Sequence, residues 1–307
     1  MRPLPDLSIR QLEYLVAVDD APTWAAAATR VGVSPSALSQ GLAELERRLG
    51  VTLFDRDGRR RHVRDGAAPV VAHARQVLGL TGDLATWADR QRTGVAGRVR
   101  IGMIDAAALI HLPDALQQFR ADRPDVTLLL RVAPSGELID HLIGGELDLV
   151  VCVEPPSDVA GVESAALRQE ELVVFAPPGV EIADAPSWGP WVLFPFGSHT
   201  RSIIEGDLRA RGAPLDVVAE SHQPEVLREM VRLGAGWTVL PETGPDSTPR
   251  SLARGPVLTT RRLVVARRAG SIIDPAADEL ADRIRRASPE SGGRPGQATM
   301  SPDSVTT

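Results

Sequence analysis

Leu38, Leu42, Leu45 and Leu49 recur at steps of four, three and four, which lays one apolar stripe along a helix of about 15 residues. The other sides of that helix carry Ser34, Ser36, Ser39, Gln40 and Arg47, a polar front whose first turn is short-chained enough to approach another surface closely. Ahead of it, residues 24–31 are a helix-forming run with Thr23 placed to cap the first turn. Gly32 breaks that run and Ser34 caps the next, so two short helices meet across the tight turn Val31-Gly32-Val33. This is how a helix-turn-helix is built. A further amphipathic segment, residues 8–18, sets Ile9, Leu12, Leu15 and Val16 on one face to support the pair.

Beyond residue 65 the pattern lengthens. Val70, Val77 and Leu84 repeat every seven, with Ala74, Thr81 and Ala88 between them, a weak coiled-coil seam along residues 66–93. Asp65 can cap this helix, and Pro69 falls in its first turn, where a missing N–H costs little. Gly79 and Gly82 inside it each cost about 1 kcal/mol relative to alanine, so packing must hold it. Residues 94–97 are a short hinge. From residue 98 strands at 99–104, 126–132 and 147–153 alternate with helices at 109–120 and 136–143, which predicts a mostly parallel sheet covered on both faces. A strand at 171–176 crosses into a second lobe built from 191–194, a helix at 200–211, 217–219, a helix at 224–233, and 236–240. Residues 263–266 return, and 275–287 form the last helix.

The predicted class is therefore α/β. An all-α winged helix-turn-helix (1–65) and a linker helix (66–93) precede a two-lobed α/β unit (98–288), with lobe I at 98–175 and 267–288 and lobe II at 176–266. Residues 289–307, rich in Ser, Pro, Gly and Thr, read as a disordered tail.

A helix in the major groove offers its N-terminal turns to base edges, and Ser34, Pro35, Ser36, Ser39 and Gln40 stand in those turns. Affinity also needs phosphate contacts. Arg56, Arg59, Arg60, Arg61 and Arg64, with His62 among them, fall within nine residues and read as a basic wing for the DNA backbone. Alanine-rich helix pairs and arginine runs are each common in proteins that bind no nucleic acid; their order here makes the reading specific.

At these residues the chain resembles the LysR-type transcriptional regulators. Leu12-x-x-Leu15, Thr23-Trp24-x-x-Ala27-Ala28, Val33-Ser34-x-x-Ala37-Leu38-Ser39, Leu45-Glu46-x-x-Leu49-Gly50 and Leu53-Phe54-x-Arg56 run through that family's N-terminal signature. The resemblance implies DNA binding at Thr23, Ser34, Pro35, Ser36, Ser39, Gln40 and the wing, and a linker helix that pairs with its copy to form a dimer or tetramer. It also implies a periplasmic-binding-protein-like effector domain taking a small molecule, and contact with RNA polymerase. Two departures are Gly41, where the family usually places a larger polar residue, and Arg64-Asp65-Gly66-Ala67-Ala68 in place of Leu-Thr-x-Ala-Gly.

In open parallel sheets, ligands sit outside the carboxyl ends of strands, against helix N-termini. That rule singles out Ile104, Asp105 and Ala106, Pro134 and Ser135, and across the cleft Phe196, Gly197, Ser198, Thr200 and Arg201. The resemblance carries the effector role to the same loops. Asp105 stands where small hydroxyl residues are frequent in the family, and its carboxylate opposes an anionic effector, with Arg201 as the offsetting cation. Plain uses compete with these roles: Ser135 and Thr200 as helix caps, Arg201 as a surface ion pair.

Composition changes this picture little. The 307 residues are 43% hydrophobic, enough for two or three cored domains. The net charge of -6 is compatible with a DNA partner because residues 1–65 hold ten Arg against nine acids while residues 98–307 hold 21 against 29. Fields at the groove decide binding more than the whole-chain sum. No run of 18 apolar residues and no export signal is present, so a cytoplasmic protein without a membrane partner is expected. Cys152, the sole cysteine, ends the apolar run 147–153 and reads as a buried structural thiol; no metal or cofactor is expected. The rival is a two-lobed solute-binding or enzymatic protein with an incidental helical N-terminus. An exported receptor would carry a signal. An enzyme would show a nucleophile elbow, a phosphate loop or a metal set, whereas His111, His141, His199 and His222 lack catalytic companions.

Overall fold

A computed structural model of the chain describes residues 5–57, 60–93, 97–242, 251–272 and 274–288. Arg59, most of the predicted hinge and the predicted tail lie outside the described residues.

The N-terminal unit is built from α1 (Ile9–Asp20), α2 (Trp24–Arg30), α3 (Pro35–Leu49), a hairpin of β1 (Phe54–Asp57) and β2 (Arg60–Val63), and the first half of α4 (Ala68–Thr93). Local chemistry sets each helix start. Ser8 and Gln11 form a capping box on α1, Thr23 Oγ1 accepts the Ala26 N–H at 3.1 Å, and Ser34 Oγ accepts the Ala37 N–H at 3.2 Å. Gly32 turns the chain at φ +68°, a conformation that L side chains rarely adopt, and Val33 N–H closes onto Ala28 O at 3.0 Å. Leu38, Leu42 and Leu45 are buried against Leu12, Leu15 and Leu53, with Trp24 edge-on to Phe54 at 5.1 Å. Each such leucine contributes about 2 kcal/mol of burial, and its truncation to alanine costs about 2–5 kcal/mol.

The long helix packs against its own chain at both halves of its length. Val70, Val71, Ala74, Val77 and Leu78 pack into the N-terminal core, while Arg75 bonds Asp19 at 2.8 Å and also pairs with Asp20. Farther along, Gly79 lies against the turn after α6 (Ser135–Ile143), where a Cβ would come within 2.6 Å of Ile143 O. Asp83 takes two bonds from Arg268, at 2.5 and 3.1 Å. Packing on the chain's own second half offsets the propensity cost of Gly79. Leu84 and Trp87 are left half exposed.

The second half carries a six-stranded sheet in the order β4-β3-β5-β10-β6-β9. Its strands are β3 (Arg98–Met103), β4 (Thr127–Val132), β5 (Leu149–Val153), β6 (Val162–Ala176), β9 (Thr238–Pro241) and β10 (Ala253–Arg268). Parallel pairing is confined to β4, β3 and β5; β10, β6 and β9 join antiparallel. The three strands expected to lie parallel do so, but the sheet as a whole is mixed, because the predicted strands 171–176 and 263–266 belong to antiparallel strands 15 and 16 residues long. Their polar midsections break the apolar pattern, yet pair with each other, Glu170 opposite Arg261 and Gln169 opposite Arg262.

Two cores flank this ribbon. The first gathers β3, β5, α5 (Pro113–Asp122), α6 and α9 (Pro275–Ala287) with Leu167 and residues 263–266. The second gathers residues 172–176, Trp188, β7 (Trp191–Leu193), α7 (His199–Ala210), α8 (Pro224–Arg232), Trp237 and Leu258; β8 (Val217–Glu220) pairs with β7. Residues 172–175, assigned to lobe I from sequence, thus pack in the second core, and 263–266, assigned to lobe II, pack in the first. The strands switch cores in mid-run, where no turn residue marks the change.

Candidate nucleic-acid interface and ligand cavity

The front of α3 is open. Ser34, Pro35, Ser36 and Gln40 are exposed and Ser39 is half-buried, while the leucines behind them are buried. Ser34 Oγ and Ser36 Oγ lie 2.9 Å apart, and Thr23 is exposed at the start of α2. Gly41 points inward: a Cβ there would meet the Tyr14 ring of α1 at 2.7 Å. Its small size is therefore set by packing between α1 and α3. Arg56 sits opposite Arg61, and Asp57 opposite Arg60, on the two strands of the hairpin. The Arg64 side chain bridges back to Asp55 at 3.2 Å. In the departing linker entry, residues 65–67 form a single tight turn before α4, and Asp65 is part of that turn instead of capping the long helix.

A cavity of about 190 Å³ opens between the two cores at the carboxyl ends of β3, β4 and β5. Of the predicted residues, Ile104, Asp105, Ala106, Pro134, Ser135, Ser198 and Thr200 line it together. Phe196, Gly197 and Arg201 are not among the lining. Phe196 is 86% exposed, with the Arg201 guanidinium 5.9 Å from its ring centre, and Gly197 occupies the turn before α7 at φ +84°. Arg201 is buried, its Nε donating to Glu205 at 2.7 Å and its Nη1 to Phe194 O at 3.1 Å and to Glu220. It braces α7 against β8, so it does not offset Asp105 and is not a surface ion pair.

Nor are Ser135 and Thr200 caps. Ser135 Oγ accepts the Val153 N–H at 3.2 Å, tying α6 to the end of β5, and Thr200 Oγ1 accepts from Arg261 Nη1 at 3.0 Å. Sequence reasoning missed the polar or loop residues Arg261, His222, Gln223 and Pro224 and the apolar Val132, Ala133, Val153 and Phe194, which complete the lining. Arg261 lies in a polar run that reads as loop, and only its register opposite Glu170 brings it to the cavity.

Arg261 anchors a buried polar chain. Its Nε donates to Glu170 Oε2 at 2.7 Å. His111 links Arg168 to Glu170, its Nδ1 2.8 Å from Arg168 Nη1 and its Nε2 against Glu170 Oε1. Burial pushes the Glu170 carboxyl up, but the bond from His111 and the Arg261 guanidinium outweigh it and hold it down to about 2. Burial also raises Asp105, with Glu225 adding to the effect and His222 opposing it. Cys152 is buried, its thiol pushed up to about 12 by burial alone. Among the described residues there is no cluster of three His, Cys, Asp or Glu side chains suited to a metal, and no helix is long and apolar enough to cross a membrane.

Residues 9–64 match the bacterial regulatory helix-turn-helix proteins of the lysR family, and residues 92–289 match the LysR substrate binding domain. The chain belongs to the LysR family. It is a DNA-binding transcriptional regulator with an effector domain, in which the exposed face of α3 belongs to the helix-turn-helix and the cavity to the substrate-binding unit. Among its relatives, the regulator YfeR of Shigella flexneri is 24% identical over 91% of this chain and 93% of its own. The transcriptional activator IlvY of Salmonella typhimurium is 27% identical over 79% and 85%. A full-length OxyR variant from Pseudomonas aeruginosa superposes with a TM-score of 0.58 at 25% identity, covering 91% of this chain and 98% of that one. CbnR in complex with its target DNA shares the fold, with a TM-score of 0.56 at 21% identity over 92% and 100%. The relatives named here are transcriptional regulators or of that fold.

Proposed function

We propose that the regulator reads its operator with Ser34, Pro35, Ser36, Ser39 and Gln40 of α3, helped by Thr23, and grips the DNA backbone through Arg56, Arg59, Arg60 and Arg61. The observation that carries this is the combination of a solvent-facing polar front with a leucine stripe buried behind it, which holds the front rigid. Residues 1–65 then act as the DNA-binding unit and 66–93 as the linker. Residues 98–288 bind the effector, with Ile104, Asp105, Ala106, Pro134, Ser135, Ser198 and Thr200 at the ligand. Half-exposed Leu84 and Trp87 on α4, and Leu129, Leu130 and Val132 on the edge strand β4, support assembly as a dimer or tetramer. The protein works in the cytoplasm, catalyses no reaction and touches RNA polymerase at its promoters. Effector binding closes the two lobes about the β6–β10 ribbon and alters the spacing of the reading heads, a population shift between two arrangements.

Binding to the intergenic region beside its own gene, measured against random duplex across a salt series, tests this reading. Arg56→Ala should weaken both duplexes alike and lower the salt slope by about 1. Gln40→Ala should cost about 1–3 kcal/mol on the preferred site and leave random duplex unchanged. Equal losses on both duplexes for the Gln40 variant would remove it from the reading helix.

A further inference from the structure

The cavity has opposite charges on two of its walls. Asp105 lies at the carboxyl end of β3, with Glu225 near enough to act on it. Arg261 lies on the interlobe ribbon, 4% exposed. Two of its three nitrogens are committed, Nε to Glu170 and Nη1 to Thr200. The third, Nη2, is buried and has no hydrogen-bond partner among the described residues. A buried donor left so forfeits the hydration it had in the unfolded chain with nothing in return. The buried chain of Arg168, Glu170 and Arg261 holds two guanidinium cations against one carboxylate, so it accepts a further negative charge. Thr200 Oγ1 already accepts from Arg261, which leaves its own proton to donate. An anion against Arg261 would therefore meet two donors, Nη2 and the Thr200 hydroxyl, beside the N-terminus of α7.

Neither a simple acid nor a simple amine satisfies both walls. An acid alone meets the carboxylates of Asp105 and Glu225, which the exposed His222 offsets only in part. An amine alone leaves Arg261 Nη2 buried without an acceptor. The remaining lining is largely apolar, including Ile104, Val132, Val153 and Phe194. The volume of about 190 Å³ is below the roughly 300–1,000 Å³ of sites for drug-sized ligands, so the guest is small. From this geometry we infer that the effector is a zwitterion, an aliphatic α-amino acid, with its carboxylate on Arg261 and Thr200, its ammonium on Asp105 and its side chain on the apolar wall. This rests on the effector reading of the cavity above.

Titration calorimetry on the full chain tests it with L-alanine, L-valine and L-leucine, each beside its keto acid and its decarboxylated amine; for leucine these are α-ketoisocaproate and isoamylamine. At least one amino acid should bind about tenfold or more tightly than either counterpart, since each counterpart loses a charge-assisted bond. Asp105→Asn should weaken the amino acid about tenfold and leave the keto acid unchanged or tighter, a reversal of preference that a merely structural role would not produce. A keto acid or amine binding as tightly as its amino acid overturns the inference, as does an Asp105→Asn variant that keeps the wild-type ratio. The same preparation is assayed on promoter DNA. No heat from any amino acid while DNA binding is intact removes the ligand class and leaves the regulator; amino-acid binding without DNA binding does the reverse.

Discussion

Glu170→Gln isolates the electrostatics of the interlobe ribbon, because it removes one charge at nearly constant shape. The Glu170 and Arg261 side chains are 7% and 4% exposed and 2.7 Å apart, so the variant leaves a buried guanidinium without its anion. Removing one partner of a buried pair costs about 3–5 kcal/mol. The proton equilibrium leads to the same range by another route. A carboxyl held at about 2 against an ordinary 4.5 contributes about 3 kcal/mol at neutral pH. Urea unfolding followed by tryptophan fluorescence is suited to the measurement, since Trp188, Trp191 and Trp237 pack together in the neighbouring core. With a slope of about 1–3 kcal/mol per molar urea, the midpoint should fall by about 1 M or more. The carboxyl is depressed in the folded state, so its contribution is complete above pH 4.5 and fades as pH falls from there toward 2. Wild type and variant should accordingly converge across that window. A variant within about 0.5 kcal/mol of wild type at neutral pH, or a gap unchanged down to pH 2, would refute the description of the pair as buried and mutually dependent.

Two glycines one turn apart on α4 should respond with opposite signs. Gly79→Ala drives a methyl to 2.6 Å from Ile143 O and should lower stability by about 1–3 kcal/mol, whereas Gly82, with nothing within 4 Å, should gain up to about 1 kcal/mol on the same change. Shifts of equal sign in thermal unfolding would mean that α4 is not docked on its own effector domain. Cys152, buried with its thiol raised to about 12, should resist Ellman's reagent at pH 8 in the native protein and react fully in guanidinium. Native labelling at the denatured rate would contradict its burial.

The N-terminal third was legible in the residues because its determinants are local. A leucine stripe of helical period, three side-chain caps and one glycine turn specify α1 to α3 within a few residues of themselves; of the predicted stripe, Leu38, Leu42 and Leu45 are buried and Leu49, at the helix end, is half-buried. The cavity loops at 104–106 and 134–135 were also legible, since a strand followed by a helix places its connecting loop at the carboxyl edge whatever the remainder does.

What only the tertiary structure decided depends on pairs far apart in the chain. Arg261 reaches the cavity because it lies opposite Glu170, 91 residues away, in a ribbon whose polar midsection has no strand signature. Gly41 and Gly79 are small because of Tyr14 and Ile143, and Arg201 is spent on Glu205 and Glu220 instead of on a ligand. Periodicity along a chain reports which face of an element is apolar. Which charge meets which charge in the interior is set by strand register and by the close approach of backbones, and neither leaves a mark on neighbouring residues.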